Sequence, residues 1–163
     1  MLRKSLVITF ILIATVCSAQ KGRRGMLEYA AGGRVGTGTG LTGQYFYTDA
    51  HVVEMILYAR WQGFSATLLY EHHMQMFDVR GLKWYIGGGG HASLYPVGTN
   101  RPDIDNDFAG HVFLPGVDAI VGMEYFFHNV PLMISVDLKP EYNFGIVNRP
   151  DLTNGGISLR YRF

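Results

Sequence analysis

The residues whose types and spacing could do chemistry are few. Gly38-Thr39-Gly40-Leu41-Thr42-Gly43 has the spacing of a dinucleotide-binding turn, which works only when a helix starts within it and its amides meet a pyrophosphate. Here Gln44-Tyr45-Phe46-Tyr47 follows, a strand-like run, so a glycine-rich hairpin is expected. Glu71-His72-His73 could supply a metal site or a general base. On a strand adjacent side chains face opposite ways, so His72 and His73 cannot chelate together. Glu71 and His73 share one face and are read as an interior network, with His72 at an interface. Asp103, Asp105 and Asp107 resemble the start of a calcium loop. An EF-hand needs Gly at its sixth position and Glu at its twelfth, and these are Phe108 and Leu114, so a solvated acidic loop is expected. His91 and His111 flank that stretch and could meet across it. A lipid-modifying barrel enzyme would set a His beside a Ser on its outer face, but Ser65 and Ser93 form no evident pair with His72. No catalytic, cofactor-binding or metal-ligating residue is assigned, and no cofactor is expected.

The elements that must position these residues show a strong period. Leu132, Ile134, Val136, Leu138, Pro140, Tyr142 and Phe144 alternate with Met133, Ser135, Asp137, Lys139, Glu141 and Asn143. Ile157, Leu159, Tyr161 and Phe163 alternate likewise with Ser158, Arg160 and Arg162. Period two over such lengths predicts strands. The run Val117–Tyr125 follows it too, with Ile120 as an exception. Turn signals at 48–50, 78–81 and 128–131 divide the chain into strands at about 26–34, 37–47, 51–60, 64–75, 82–92, 112–127, 131–144 and 155–163. Short connections alternate with mostly longer ones, which is the plan of an eight-stranded antiparallel up-and-down transmembrane β-barrel.

Composition agrees. The chain has 163 residues, 48% hydrophobic, 13% aromatic and 17% charged, with 21 Gly and a net charge of +1. A soluble domain carries about 25% charged residues, and the near-neutral balance gives nucleic acid no electrostatic footprint. One Cys excludes a disulfide framework. Arg3 and Lys4, the apolar run Leu6–Val16 and the small residues before Gln20 form a secretory signal peptide. Residues 1–19 are read as that signal and 20–163 as the barrel domain. A membrane anchor, or lipidation at Cys17, are the alternatives for that end.

Alternation leaves open which face meets lipid. In a lipocalin-like secreted carrier the apolar set would be buried; in a membrane barrel it faces out. Threading the chain with both termini periplasmic places Tyr29, Tyr45, Tyr47, Tyr70, Trp84, Tyr125, Phe127, Tyr161 and Phe163 near the short-turn end. Trp61, Phe64, Tyr142 and Phe144 fall near the other end. Aliphatic Met55, Leu57, Leu68, Ile86, Val121, Ile134, Val136 and Leu159 lie between. Two aromatic girdles around an aliphatic band match a bilayer. The opposite face holds seven acids (Glu28, Glu54, Glu71, Asp118, Glu124, Asp137, Glu141) and six bases (Arg34, Arg60, Lys83, Lys139, Arg160, Arg162). A ladder of salt bridges filling a narrow lumen is expected.

The ending Gly156-Ile-Ser-Leu-Arg-Tyr-Arg-Phe163 resembles the C-terminal signature of bacterial outer-membrane β-barrels, which finish in an aromatic with apolar residues at alternate positions before it. Gly122–Phe127 and Pro131–Glu141 are similar to segments of small members of that class. The resemblance implies a Gram-negative outer membrane, lipid and lipopolysaccharide as surroundings, and recognition of Ile157, Leu159, Tyr161 and Phe163 by the barrel-assembly machinery. It also implies a porin-like monomer of structural, adhesive or surface-interaction role. A lipocalin-like carrier and a lipid-modifying outer-membrane enzyme are the competing functions.

Overall fold

A computed structural model describes residues 28–60, 62–96, 110–144 and 149–163, with backbone alone at residue 149. It is an all-β, closed antiparallel barrel of eight staves built from ten strand segments. These are β1 Tyr29–Gly36, β2 Thr39–Phe46, β3 His51–Arg60, β4 Gly63–Gln75, β5 Leu82–Pro96, β6 His111–Phe126, β7 Leu132–Leu138, β8 Glu141–Asn143, β9 Arg149–Asp151 and β10 Gly155–Arg162. Each stave pairs with the next in sequence, and β10 returns to β1, from Ala30 opposite Arg162 to Gly36 opposite Gly156. Tyr29 and Phe163 exchange backbone hydrogen bonds of 3.2 and 2.8 Å at the seam. No sheet edge is left there to pair with another chain.

β7 and β8 form one stave. Leu138 stands opposite Val121 and Glu141 opposite Asp118 in the same register, so the strand expected over 131–144 is continuous across Pro140. The last stave differs from expectation. It begins in β9, inside what the sequence suggested was a connection, and it carries a bulge. Asp151 faces Glu141 while Gly155 faces Leu138, so three residues oppose two. The extra residue reverses the inside–outside alternation. Leu152 and Thr153 are both exposed, and Asn154 turns into the lumen. A period-two reading stops at such a reversal.

Two other boundaries move. β5 runs on to Pro96 and pairs with His111, so Ser93–Pro96 belong to the wall. At the end away from the termini, β1–β2 and β3–β4 are joined by only two residues each, 37–38 and 61–62. The longer connections there are confined to β5–β6 and β8–β9.

Eight strands enclose a narrow cylinder, and neighbouring backbones must curve sharply toward each other. Inward-facing glycines permit this. A Cβ on Gly32 would lie 1.9 Å from the Leu159 carbonyl oxygen, and one on Gly89 1.9 Å from that of Leu68. Gly32 and Gly89 therefore mark places where the wall bends.

Candidate functional site in the barrel lumen

The faces separate as the alternation requires. Val136, Leu159, Leu68 and Ile86 are about half exposed on the outer wall, at 48, 54, 59 and 50%. Asp137, Glu124, Arg160, Glu54, Glu71, Asp118, Lys139 and Glu141 are all buried within the cylinder. Glu28 departs from the expected lumen set: it precedes β1 and is exposed.

Three polar layers occupy the lumen. Nearest the termini, His73 bridges two carboxylates: Glu71 Oε2 lies 2.9 Å from its Nε2 and Glu124 Oε1 2.9 Å from its Nδ1. The Tyr85 ring stacks on it at 4.9 Å. At mid-height, Arg34 grips Asp137 through both terminal nitrogens, at 2.6 and 2.5 Å, the two-pronged geometry that makes guanidinium–carboxylate pairs strong. Tyr85 donates to the same carboxylate at 3.2 Å. Beside it Arg160 pairs with Glu54 and donates to Thr42 at 3.0 Å and Ser135 at 2.8 Å. Thr42 also donates to Glu54.

The third layer lies toward the far end. Lys139 donates to Asp118 at 2.6 Å and to Glu141 at 2.9 Å. His91 meets Asp118 through Nδ1 at 2.9 Å and Asn143 through Nε2 at 3.2 Å. Asn154, in phase with inward Ser158 and Arg160, donates to Glu141 at 2.8 Å and to the Tyr58 hydroxyl at 3.1 Å. Above it, Arg60 pairs with Asp151 at 3.0 Å.

Ligand-type atoms of His91, Asp118 and Glu141 lie within 4.8 Å of one another, the spacing of a metal site. The Lys139 ammonium, however, is hydrogen-bonded to both carboxylates. It already supplies the positive charge an ion would bring, and a metal would have to displace it.

Apolar side chains fill the rest, which the expectation of a charge-filled lumen did not include. Ile56, Tyr58, Leu69, Tyr85 and Ile120 form one cluster, and Ile120, the exception to the alternation, is part of this plug. Ala30, Phe46, Val52 and Met133 form another, with Phe126 against it. The Arg162 guanidinium covers that cluster, 4.2 Å from the Phe46 ring centre.

The remaining sequence candidates disperse. His91 is opposite Gly116, and His111 is opposite Pro96, five residues farther along the strand, or roughly 16 Å; the two histidines do not meet. Ser65 and Ser93 hydrogen-bond each other at 2.8 Å inside the lumen, away from outward-facing His72. Gly40 and Gly43 lie within β2 rather than at a helix start, so the dinucleotide-like spacing belongs to a hairpin. Residues 1–19, Cys17, Trp61 and Asp103–Asp107 lie outside the described residues. The sequence reading missed Tyr58, Tyr85 and Asn154 as lumen groups. The two tyrosines sit on the charged parity of their strands, and Asn154 shares the parity of Ser158 and Arg160 but lies one residue before the expected strand.

No protein-family model matches the chain, and no curated protein matches it in sequence. Among solved structures it is similar to the N-terminal β-barrel domain of Pseudomonas aeruginosa OprF, seen by crystallography. The TM-score is 0.60 at 18% identity, over 83% of this chain and 95% of that one. At that distance the likeness concerns architecture: the chain has the same kind of closed eight-stranded barrel.

Proposed function

We propose that the chain is an integral outer-membrane β-barrel with a sealed lumen and a structural, adhesive or surface-interaction role, rather than a pore or an enzyme. The observation that carries this is the sorting of the two faces. The outer wall exposes Leu41, Leu68, Ile86, Val136 and Leu159 between aromatic ends, a surface that water would penalise and acyl chains accept. The ionised groups pair within. A lipocalin-like carrier needs the reverse, an apolar cavity inside and charges outside, and the three polar layers oppose it. A lipid-modifying enzyme needs a nucleophile and base on the outer face. Both candidate serines are turned inward and bonded to each other.

In this arrangement the termini and the 47–50, 76–81 and 127–131 connections face the periplasm. The β5–β6 and β8–β9 connections face outward, toward lipopolysaccharide. The β10 strand with Phe163 after it is the segment offered to the barrel-assembly machinery, and the folded chain is a monomer.

Fractionation tests this directly. The protein is expected in the outer-membrane fraction and should migrate faster on a gel before boiling than after. Recovery in the soluble fraction without detergent would contradict it.

A further inference from the structure

On the outer wall near the termini, the β3–β4 register sets His51 directly opposite His72. Both rings face away from the lumen, while His73, the next residue, faces in. Their centroids are 4.8 Å apart with planes inclined by 47°. Two imidazoles that each give one nitrogen to a shared ion, at about 2.0–2.1 Å and with an angle near the tetrahedral or octahedral value, hold their centroids roughly 4.5–5.2 Å apart. The pair stands at that separation.

A second feature belongs to the same geometry. The Tyr70 hydroxyl lies 2.7 Å from His51 Nδ1, and Tyr70 precedes His72 by two residues on the same outward face. Ligating histidines commonly give their other ring N–H to an oxygen, which fixes the ring and frees the remaining nitrogen for metal. With Tyr70 accepting from Nδ1, His51 Nε2 is left as the donor atom. The backbone under His51 is held as well: the Thr48 hydroxyl accepts from the amides of Ala50 and His51, at 3.3 and 3.0 Å.

We propose that His51 and His72 form a surface site for a divalent transition-metal ion of the Zn²⁺ or Cu²⁺ type, with Tyr70 as the positioning residue. Imidazole donors select these ions over Mg²⁺ and Ca²⁺, which require oxygen. Two protein ligands leave the other positions to water, so the ion exchanges readily. The site is separate from the lumen, where Lys139 already neutralises the carboxylates beside His91.

The experiment is titration calorimetry of Zn²⁺ into the folded signal-free chain in detergent micelles. One ion per barrel is expected. Binding should weaken at least tenfold in His51→Ala and in His72→Ala, and by about 10–100-fold in Tyr70→Phe, with heat-dependent gel mobility kept throughout. His111→Ala and His128→Ala should bind as the parent does. Undiminished binding in the His51→Ala/His72→Ala double variant, or no binding by the parent, would overturn the site. Cu²⁺ paramagnetic resonance on the unaltered chain decides independently of folding in the variants. Coupling to two imidazole nitrogens supports the site, and coupling to one or none rejects it.

Discussion

Neighbouring residues on one strand separate the two environments most sharply. Val136 is on the outer wall, and Asp137 beside it is held by Arg34 and Tyr85 in the lumen. With the outer wall in lipid as proposed, placing Arg at Val136 should cost about 2–4 kcal/mol. Asp137→Asn should cost about 3–5 kcal/mol by another route, leaving the buried Arg34 guanidinium without its counter-charge. Urea unfolding in lipid vesicles distinguishes the two. A second change, Arg34→Met, should recover much of the Asp137→Asn loss and none of the Val136→Arg loss, because coupling is confined to groups in contact. Equal effects of Arg34→Met in both backgrounds would contradict the assignment of faces.

At the scale of elements, the last stave does two jobs. Its C-terminal half closes the barrel against β1. Its N-terminal half carries the bulge, which keeps Asp151 facing Arg60, while Asn154 reaches Glu141 and Tyr58. Asn154→Ala should destabilise by about 1–3 kcal/mol, since it strips a buried carboxylate of one of its donors. Deleting Thr153 should cost less, because Asp151, Leu152, Asn154 and Gly155 then alternate regularly and both β9 and β10 keep their faces. Thermal unfolding of both variants checks the order. Removing Tyr161–Phe163 should abolish recovery from the outer membrane, as the seam to Tyr29 and the segment proposed for recognition by the assembly machinery disappear together.

These same elements show what the sequence could convey. The alternation in 131–144 and 155–163 reports side-chain direction directly, since every second residue of a strand shares a face. That is why the six strand-borne acids and five of the six bases could be placed inside from sequence, Lys83 instead donating to the exposed Asp49 carbonyl. It fails where direction and sequence parity part company. One extra residue at 152–154 resets the parity, and glycine offers no side chain to read. Pairing partners were also hidden: Arg34 and Asp137 are 103 residues apart, and the barrel's stagger, not sequence spacing, brings them together. The His51–His72 pair is equally invisible until the register is known.

For the molecule as a whole, the lumen explains how so charged an interior coexists with an apolar exterior. Arg34 and Asp137, and Arg160 and Glu54, are 103 and 106 residues apart, so that part of the network forms only when the cylinder closes, whereas Lys139 pairs with Glu141 on its own stave. Apolar clusters fill the space that the polar groups leave, and Tyr85 joins two of the layers by stacking on His73 and donating to Asp137. A planar-bilayer recording should therefore show no steady conductance from the folded protein, and sustained single-channel steps would contradict a sealed interior.

The most direct test of the central claim uses the absence of any cysteine after residue 17. With Cys17 replaced by Ala, a single introduced thiol can carry a nitroxide without background. Labels at Val121, Val136 and Leu159 in vesicles should collide with oxygen, which dissolves in acyl chains, and be shielded from a water-soluble nickel chelate. Strong relaxation by the chelate at those three positions would mean that water, not lipid, surrounds the wall.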